Sequence, residues 1–285
     1  MIQDIAPHIY HNEYEPKDPK SSDFLIVIDD RKILLREDST ASASGNVPGP
    51  FRLPTVSDLP GLDGSLIYLF SIDDQNFFFC PGSPKAQAPF TYVREMVLRE
   101  LEGDYLSFGA ATAMQLAQWY TLHRFCGKCG VPTVHSKTER AIICPECGHI
   151  YYPRISPVVI IAITHEDKIL LTTYNRSGYK RHALVAGFVE IGETLEDAVR
   201  REIMEEVGLR VKDITYIESQ PWAFSSSLIS GFRAEVDGDP TIHLNADGKD
   251  ELASAGWFTP EQLAIEDRSV SLTWDMIRKF KAGVL

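Results

Sequence analysis

Apolar positions follow two rhythms along this chain. In the first part they come in short runs. Phe24-Leu-Ile-Val-Ile28 and Lys32-Ile-Leu-Leu35 flank Asp29-Asp30-Arg31. Two apolar runs around a polar turn predict a hairpin. Strands are also expected at Ser65–Ile72 and Gln75–Cys80, and helices at Thr91–Leu101 and Ala110–His123. Between them lies the polar stretch Glu37–Leu53, with Ser39-Thr-Ala-Ser-Ala-Ser-Gly-Asn46 and Pro48-Gly49-Pro50, which reads as a mobile surface loop. Further on, Val158-Val-Ile-Ile-Ala-Ile163, His165-Glu-Asp167 and Lys168-Ile-Leu-Leu171 restate the first hairpin: an apolar strand, an acidic turn, then a basic residue and Ile-Leu-Leu. This weak internal repeat suggests two domains of similar topology. The N-terminal copy lacks the chemistry of the second, so it would be degenerate.

The second rhythm is helical. Leu195, Val199, Ile203 and Val207 recur every fourth residue. Thr194 is placed as an N-cap, with Asp197 three residues on, and Gly208 as a left-handed C-cap. Glu202, Glu205 and Glu206 stand at i, i+3 and i+4, so their carboxylates gather on one side. That acidic stripe borders the apolar one, which puts the carboxylates at the edge of the core. Glutamates so close repel one another unless a hard divalent cation such as Mg²⁺ or Mn²⁺ neutralises them. Arg201 is spaced to pair with Glu205, and Glu193, on the preceding loop, is within reach of an arginine; such pairs would orient the ligands.

Composition narrows the class. The 285 residues are 44% hydrophobic and 24% charged, which excludes a disordered or collagen-like chain and suggests two domains. With 28 basic and 40 acidic residues the net charge is −12, which argues against broad binding to a nucleic-acid backbone. The longest apolar run, Val158–Ile163, falls far short of the ~20 residues of a spanning helix. Met1–Tyr10 lacks the basic start of a secretion signal. The C-terminal Gly-Val-Leu is not a peroxisomal Ser-Lys-Leu. A cytoplasmic protein without a membrane partner is therefore expected.

Four of the five cysteines form two pairs, Cys126-Gly-Lys-Cys129 and Cys144-Pro-Glu-Cys147, with fourteen residues between them. Two such turns supply four sulfurs in a tetrahedron, the geometry Zn²⁺ prefers. Four thiolates leave no open position for a catalytic water, so the zinc is expected to be structural. An iron–sulfur centre or a redox pair is the alternative. Cys80, in Phe77-Phe-Phe-Cys80, reads as a buried core thiol.

The stretch from Gly187 to Leu209 carries Gly187, Glu193, Arg201, Glu202, Ile203, Glu205, Glu206, Gly208 and Leu209 at every fixed position of the Nudix box. The sequence thus resembles a Nudix hydrolase. That resemblance implies an α/β fold, an α/β/α sandwich with a mixed sheet. It also implies metal-dependent cleavage of nucleoside diphosphates linked to another moiety. Three features resemble the NADH pyrophosphatase group in particular, which is also known for removing NAD caps from RNA. They are the cysteine module ahead of the box, Tyr151-Tyr-Pro-Arg-Ile-Ser-Pro157, and Ser219-Gln-Pro-Trp-Ala-Phe-Ser-Ser-Ser-Leu228. In the last of these, Ala223 and Ser225 replace two signature prolines, which bears on substrate preference more than on the chemistry.

The expected organisation is an N-terminal, non-catalytic Nudix-like α/β domain over 1–121, a zinc ribbon over 122–153 and the catalytic Nudix domain over 154–285. By this resemblance Glu202, Glu205, Glu206 and Glu251 hold Mg²⁺ or Mn²⁺, Cys126, Cys129, Cys144 and Cys147 hold zinc, and Glu206 takes the proton. Glu193 and Arg201 orient the helix. Phe188, Trp222, Tyr152, Gln220 and Ser227 are the candidates to bind substrate: rings to stack on nicotinamide, and polar groups for its substituents. The expected reaction is hydrolysis of NAD(H) to a nicotinamide mononucleotide and AMP, on the free dinucleotide or on NAD-capped RNA. A homodimer with a shared active site is implied. The alternatives are another dinucleotide such as ADP-ribose, or a non-catalytic nucleotide-sensing or RNA-binding protein.

Overall fold

The computed structural model describes residues 1–37, 51–61, 66–82, 84–101, 104–175, 181–264 and 270–285. Two compact units emerge. One comprises Ile2–Arg154 and Ala223–Ser225, the other Met1, Ile155–Trp222 and Ser226–Leu285.

The first unit runs β1 (Tyr10–His11), β2 (Phe24–Ile26), β3 (Ile28–Asp29), β4 (Lys32–Glu37), β5 (Phe51–Arg52), β6 (Ile67–Ile72), β7 (Gln75–Phe79), β8 (Phe90–Arg94), α1 (Asp104–Leu122), β9 (Val134–His135), β10 (Ile142–Ile143) and β11 (Ile150–Tyr151). Its first expected hairpin forms, with a division. At Val27 the strand leaves one sheet for another: β2 lies parallel to β7, while β3 turns back on β4 with Ile28 opposite Ile33. The sheets are ordered β1-β6-β7-β2 and β3-β4-β5, with β8 on β4. Most of the expected polar loop, 38–50, lies outside the described residues; at its base Glu37 pairs with Phe51.

Thr91–Leu101 is not the expected α-helix. Phe90–Arg94 is a strand on β4, and Glu95–Glu100 is a 3-10 turn. Thr91, Tyr92 and Val93 are β-branched or aromatic, and the neighbouring edge of β4 rewards that preference. The helix expected from Ala110 begins six residues earlier, at Asp104. Gly109, a helix breaker on propensity, lies where a Cβ would overlap the ring of Phe77, so the position demands the smallest residue. α1 is buried on several sides, through Phe108, Ala110, Ala113, Met114, Ala117 and Tyr120.

The second unit runs β12 (Ser156–His165), β13 (Lys168–Tyr174), β14 (Val185–Phe188), α2 (Leu195–Val207), β15 (Val211–Trp222), β16 (Ser227–Val236), β17 (Leu252–Phe258) and α3 (Leu272–Lys281). Its mixed sheet is ordered β15-β16-β12-β13-β17, with β14 also on β12. The β12–β16 pair is parallel and the other pairs are antiparallel. The apolar run predicted at Val158–Ile163 is the centre of β12, buried on both faces. Val159, Ile161 and Ile163 pack with Val199, Ile203 and Val207 of α2, while Ile160 and Ala162 pack with Leu272, Met276 and Ile277 of α3. Alternate residues of one strand thus face two helices, which makes the unit the expected α/β/α sandwich.

Among the described residues no helix is long and apolar enough to cross a membrane.

Candidate active site and metal centre

The box helix begins as its sequence predicts. The Thr194 hydroxyl accepts from the Asp197 amide at 3.1 Å, and Gly208 ends the helix at φ +67°. Ile203 and Val207 are fully buried, and the acidic stripe runs beside them. Gly187, at the end of β14, faces this stripe. A Cβ there would overlap the carboxyl group of Glu202, so glycine is what lets that carboxyl lie against the strand.

Arg201 organises the cluster. Its Nε donates to Glu193 Oε1 at 2.6 Å and its Nη2 to Glu193 Oε2 at 2.8 Å, a two-point clamp. Nη2 also donates to the Phe188 carbonyl at 2.9 Å, and Nη1 to Glu202 Oε1 at 2.7 Å, with Glu205 at 3.5 Å. One guanidinium therefore ties the loop before the helix, the end of β14 and two candidate ligands together. Its hydrogen bonds hold the Glu193 carboxyl at about 2. Glu193 Oε2 also accepts from the Glu190 amide.

Glu206 is the opposite case. It is only 6% exposed, and among the described residues its Oε2 has no hydrogen-bond partner. Burial, and then the charges of Glu202 and Glu251, push its carboxyl up to about 8. Burial raises Glu202 as well, against the pull of Arg201. A buried carboxylate oxygen with no partner, beside further carboxylates, is costly unless a cation completes it. Hard oxygen donors in that state fit Mg²⁺ or Mn²⁺.

Two nearby groups were not singled out in the sequence. The segment 243–247 folds onto the C-terminal end of α2. The amides of His243, Asn245 and Asp247 donate to the carbonyls of Val207, Glu206 and Glu205. This brings Asp247 within electrostatic reach of Glu206, and Lys249, 2.9 Å from Asp247, within reach of Glu205 and Glu202. Asn245 brackets Leu252 through both backbone groups, which fixes the start of β17 beside the exposed Glu251. The signal available in the sequence was the run of turn residues at Asn245-Ala-Asp-Gly-Lys249.

The expected substrate-binding residues are divided. Phe188 is 54% exposed, at the edge of the carboxylate cluster. Trp222 ends β15 and pairs with Ser227 at the start of β16; Trp222 is half-buried and Ser227 buried. Gln220 lies inside its unit. It is fully buried, its Nε2 donates to the Val270 carbonyl at 2.9 Å, and its Oε1 accepts from the Leu272 amide at 2.8 Å. Its amide fastens the start of α3. Tyr152 belongs to the first unit, is exposed, and donates to Glu139 at 3.3 Å.

The four paired cysteines converge in the first unit, their sulfurs all within 4.8 Å of one another. Separations are 3.4 Å for Cys129–Cys144, 3.6 Å for Cys126–Cys147 and 3.8 Å for Cys129–Cys147. A tetrahedron with Zn–S bonds of about 2.3 Å has edges of about 3.8 Å. Among the described residues this is the single set that gathers three or more possible ligand atoms so tightly. The Tyr151 hydroxyl, 3.4 Å from Cys126 Sγ, pulls that thiol down to about 5, and the Cys147 amide lowers Cys144. The set fits zinc, with no position left for a water. Cys80 is buried, and burial raises its thiol, as a core residue requires.

Fold, box helix and cysteine cluster together define a class. Residues 154–280 match the NUDIX domain family, and residues 122–152 match the NADH pyrophosphatase zinc ribbon domain. Over residues 122–280 the chain thus resembles the Nudix family, in the form that carries this ribbon. Among curated relatives it is 47% identical over 156 residues to the NAD-capped RNA hydrolase NudC of Citrobacter koseri, a stretch covering 55% of this chain and 59% of that protein. It is 48% identical over 157 residues to the NudC of Salmonella schwarzengrund, with the same coverage. A crystal structure of a NUDIX hydrolase from Nitrosomonas europaea aligns over 55% of this chain and 90% of that one, at 24% identity and a TM-score of 0.45. The match thus spans less than two thirds of the curated relatives.

Proposed function

We propose that this protein hydrolyses the pyrophosphate of NAD(H) to a nicotinamide mononucleotide and AMP, and removes the NAD cap from RNA 5′ ends. The observation that carries the reading is Glu206, buried, with an unpartnered oxygen, among carboxylates that Arg201 holds in place. The names of the relatives supply the substrate class.

Glu202, Glu205, Glu206 and Glu251 are the residues to hold Mg²⁺ or Mn²⁺. Such ions, when bound, neutralise phosphate oxygens and acidify a coordinated water. Glu206 would be the residue to accept a proton from the attacking water. Arg201 and Glu193 keep the helix and the end of β14 in register, so that positioning supplies much of the rate. Phe188 and Trp222 offer faces to a flat ring, and Tyr152 and Ser227 offer hydroxyls. Gln220 orders the start of α3. The first unit is non-catalytic, in an organisation of three parts over 1–121, 122–153 and 154–285, and the protein acts as a cytoplasmic homodimer. Zinc holds the ribbon and takes no part in hydrolysis.

The test is a product assay with NADH, NAD, ADP-ribose and NAD-capped RNA. Release of a nicotinamide mononucleotide from NAD(H) and from the capped RNA, which keeps a 5′-monophosphate, is expected to exceed AMP release from ADP-ribose. Glu206→Gln is expected to lose at least a thousand-fold in kcat while keeping its zinc and its circular dichroism, a loss of about 4 kcal/mol in transition-state stabilisation. Near-normal turnover in that variant would remove Glu206 from its role.

A further inference from the structure

The first unit holds a cavity of about 610 Å³ that no step of the proposed hydrolysis uses. Its floor is apolar: Ile28, Phe79 and Tyr120 are each no more than 5% exposed. Ile67 stands on one side, and Arg124 and His135 close the other. The size lies within the ~300–1,000 Å³ of small-molecule sites, as does the pattern of apolar walls with few polar groups.

Two observations set the chemistry of an occupant. The first is aromatic. The rings of Phe79 and Tyr120 are stacked with centroids 6.3 Å apart and planes 20° apart, and His135 lies 4.9 Å from Tyr120. Three rings in series make a wall suited to another flat ring. The second is charge. Arg124 is exposed, and among the described residues its guanidinium has neither an ion-pair nor a hydrogen-bond partner. Among the described residues that line it, none is a carboxylate. Burial lowers the pKa of His135, so its ring is neutral near pH 7 and donates or accepts a hydrogen bond without adding charge. The cavity thus presents one fixed cation with a fork of donors, enough for a single phosphate group and not for a pyrophosphate.

The geometry points to a binding site for a nucleoside monophosphate, with the base against Tyr120 and the phosphate on Arg124. The choice of mononucleotide rests on the proposed reaction, whose products are both of this class. The site stands on its own residues. The flat face of a base entering the cavity covers its apolar walls, and the guanidinium fixes which end faces out.

The experiment uses the full, zinc-loaded chain without added Mg²⁺ or Mn²⁺. It is photolabelled with 8-azido-AMP and the modified peptides are mapped. Label is expected within 67–82 and 119–135, with excess AMP protecting at least ten-fold better than adenosine. Arg124→Gln, a change on an exposed side chain, is expected to lower that labelling at least ten-fold and to leave NADH turnover unchanged. Label confined to 155–285, or equal protection by adenosine and AMP, overturns the proposal. Turnover is measured on the same preparation. If the cavity is labelled but no AMP is released from NAD(H), the proposed activity fails and the site stands. If turnover is normal and the cavity stays unlabelled, the site fails and the activity stands.

Discussion

Gly187 and Glu202 show how much of this site is settled by single side chains. The glycine leaves the space that the Glu202 carboxyl occupies, and Arg201 then holds that carboxyl from the other side. Gly187→Ala is expected to push the flexible end of Glu202 away. The stability cost is small, because a side-chain tip moves more cheaply than backbone. Turnover is expected to fall by about a hundred-fold, the usual consequence of misplacing a reacting group by about 1 Å. Thermal melting and kcat on the same variant separate the two effects; a large drop in melting temperature would show instead that the strand itself had moved. The identity of these residues was legible from their spacing in the box. The state of Glu206 was not. Its raised pKa and orphaned oxygen depend on burial and on Glu251 and Asp247, which lie more than forty residues away in the chain. Gln220 behaves in the same way, since a polar residue in a signature gives no sign of whether its amide faces a ligand or a backbone.

At the scale of elements, α2 was fully readable: its cap, apolar stripe and end all act within one helix. The 3-10 turn and strand at 90–100 were not, because charged residues at helical spacing disguised a stretch whose β-branched and aromatic side chains met a free strand edge. The segment 243–247 is the element the sequence conceals best. A helix leaves its last carbonyls without internal partners, and here a distant loop supplies three amides. Asn245 then locks that loop to Leu252, which is 1% exposed. Asn245→Ala is expected to cost about 1–3 kcal/mol, since it strands buried backbone groups. It is also expected to lower kcat, because Glu251 is set by the same bracket. Urea unfolding and steady-state kinetics are the measurements; unchanged values of both would show that the bracket does not position Glu251.

At the scale of the whole molecule, zinc has a specific task. The ribbon strands β9, β10 and β11 contribute two residues each, too few for a core of their own. The ribbon is tied to the rest of its unit by the Tyr14 hydroxyl on the Ser136 carbonyl and by Arg140 on Asn12 and the Leu69 carbonyl. Metal analysis is expected to give one zinc per chain. Stripping it with a chelator and a thiol reagent is expected to lower the melting temperature, because metal binding and folding of such a module are one equilibrium. A zinc-free chain that melts unchanged would refute this. The weak repeat reappears as a matching turn: Asp30 and Glu166 both adopt positive φ, and Asp29 pairs with Lys32 as His165 does with Lys168. Beyond the turn the two copies diverge, since β12 runs unbroken through one sheet while its counterpart is divided between two.

By itself the sequence determined the zinc-ligand set, the box helix with its caps, and the doubly buried strand. Each is written in spacings of a few residues, over which backbone geometry alone dictates what faces what. Tertiary structure decided the rest: which carboxylate is buried without a partner among the described residues, that Arg201 joins three segments, that the Gln220 amide bonds at the start of α3, and that the segment 243–247 meets the end of the box helix. These depend on groups distant in the chain meeting in space, where burial and neighbouring charge, and not residue type, set the energy of each polar atom.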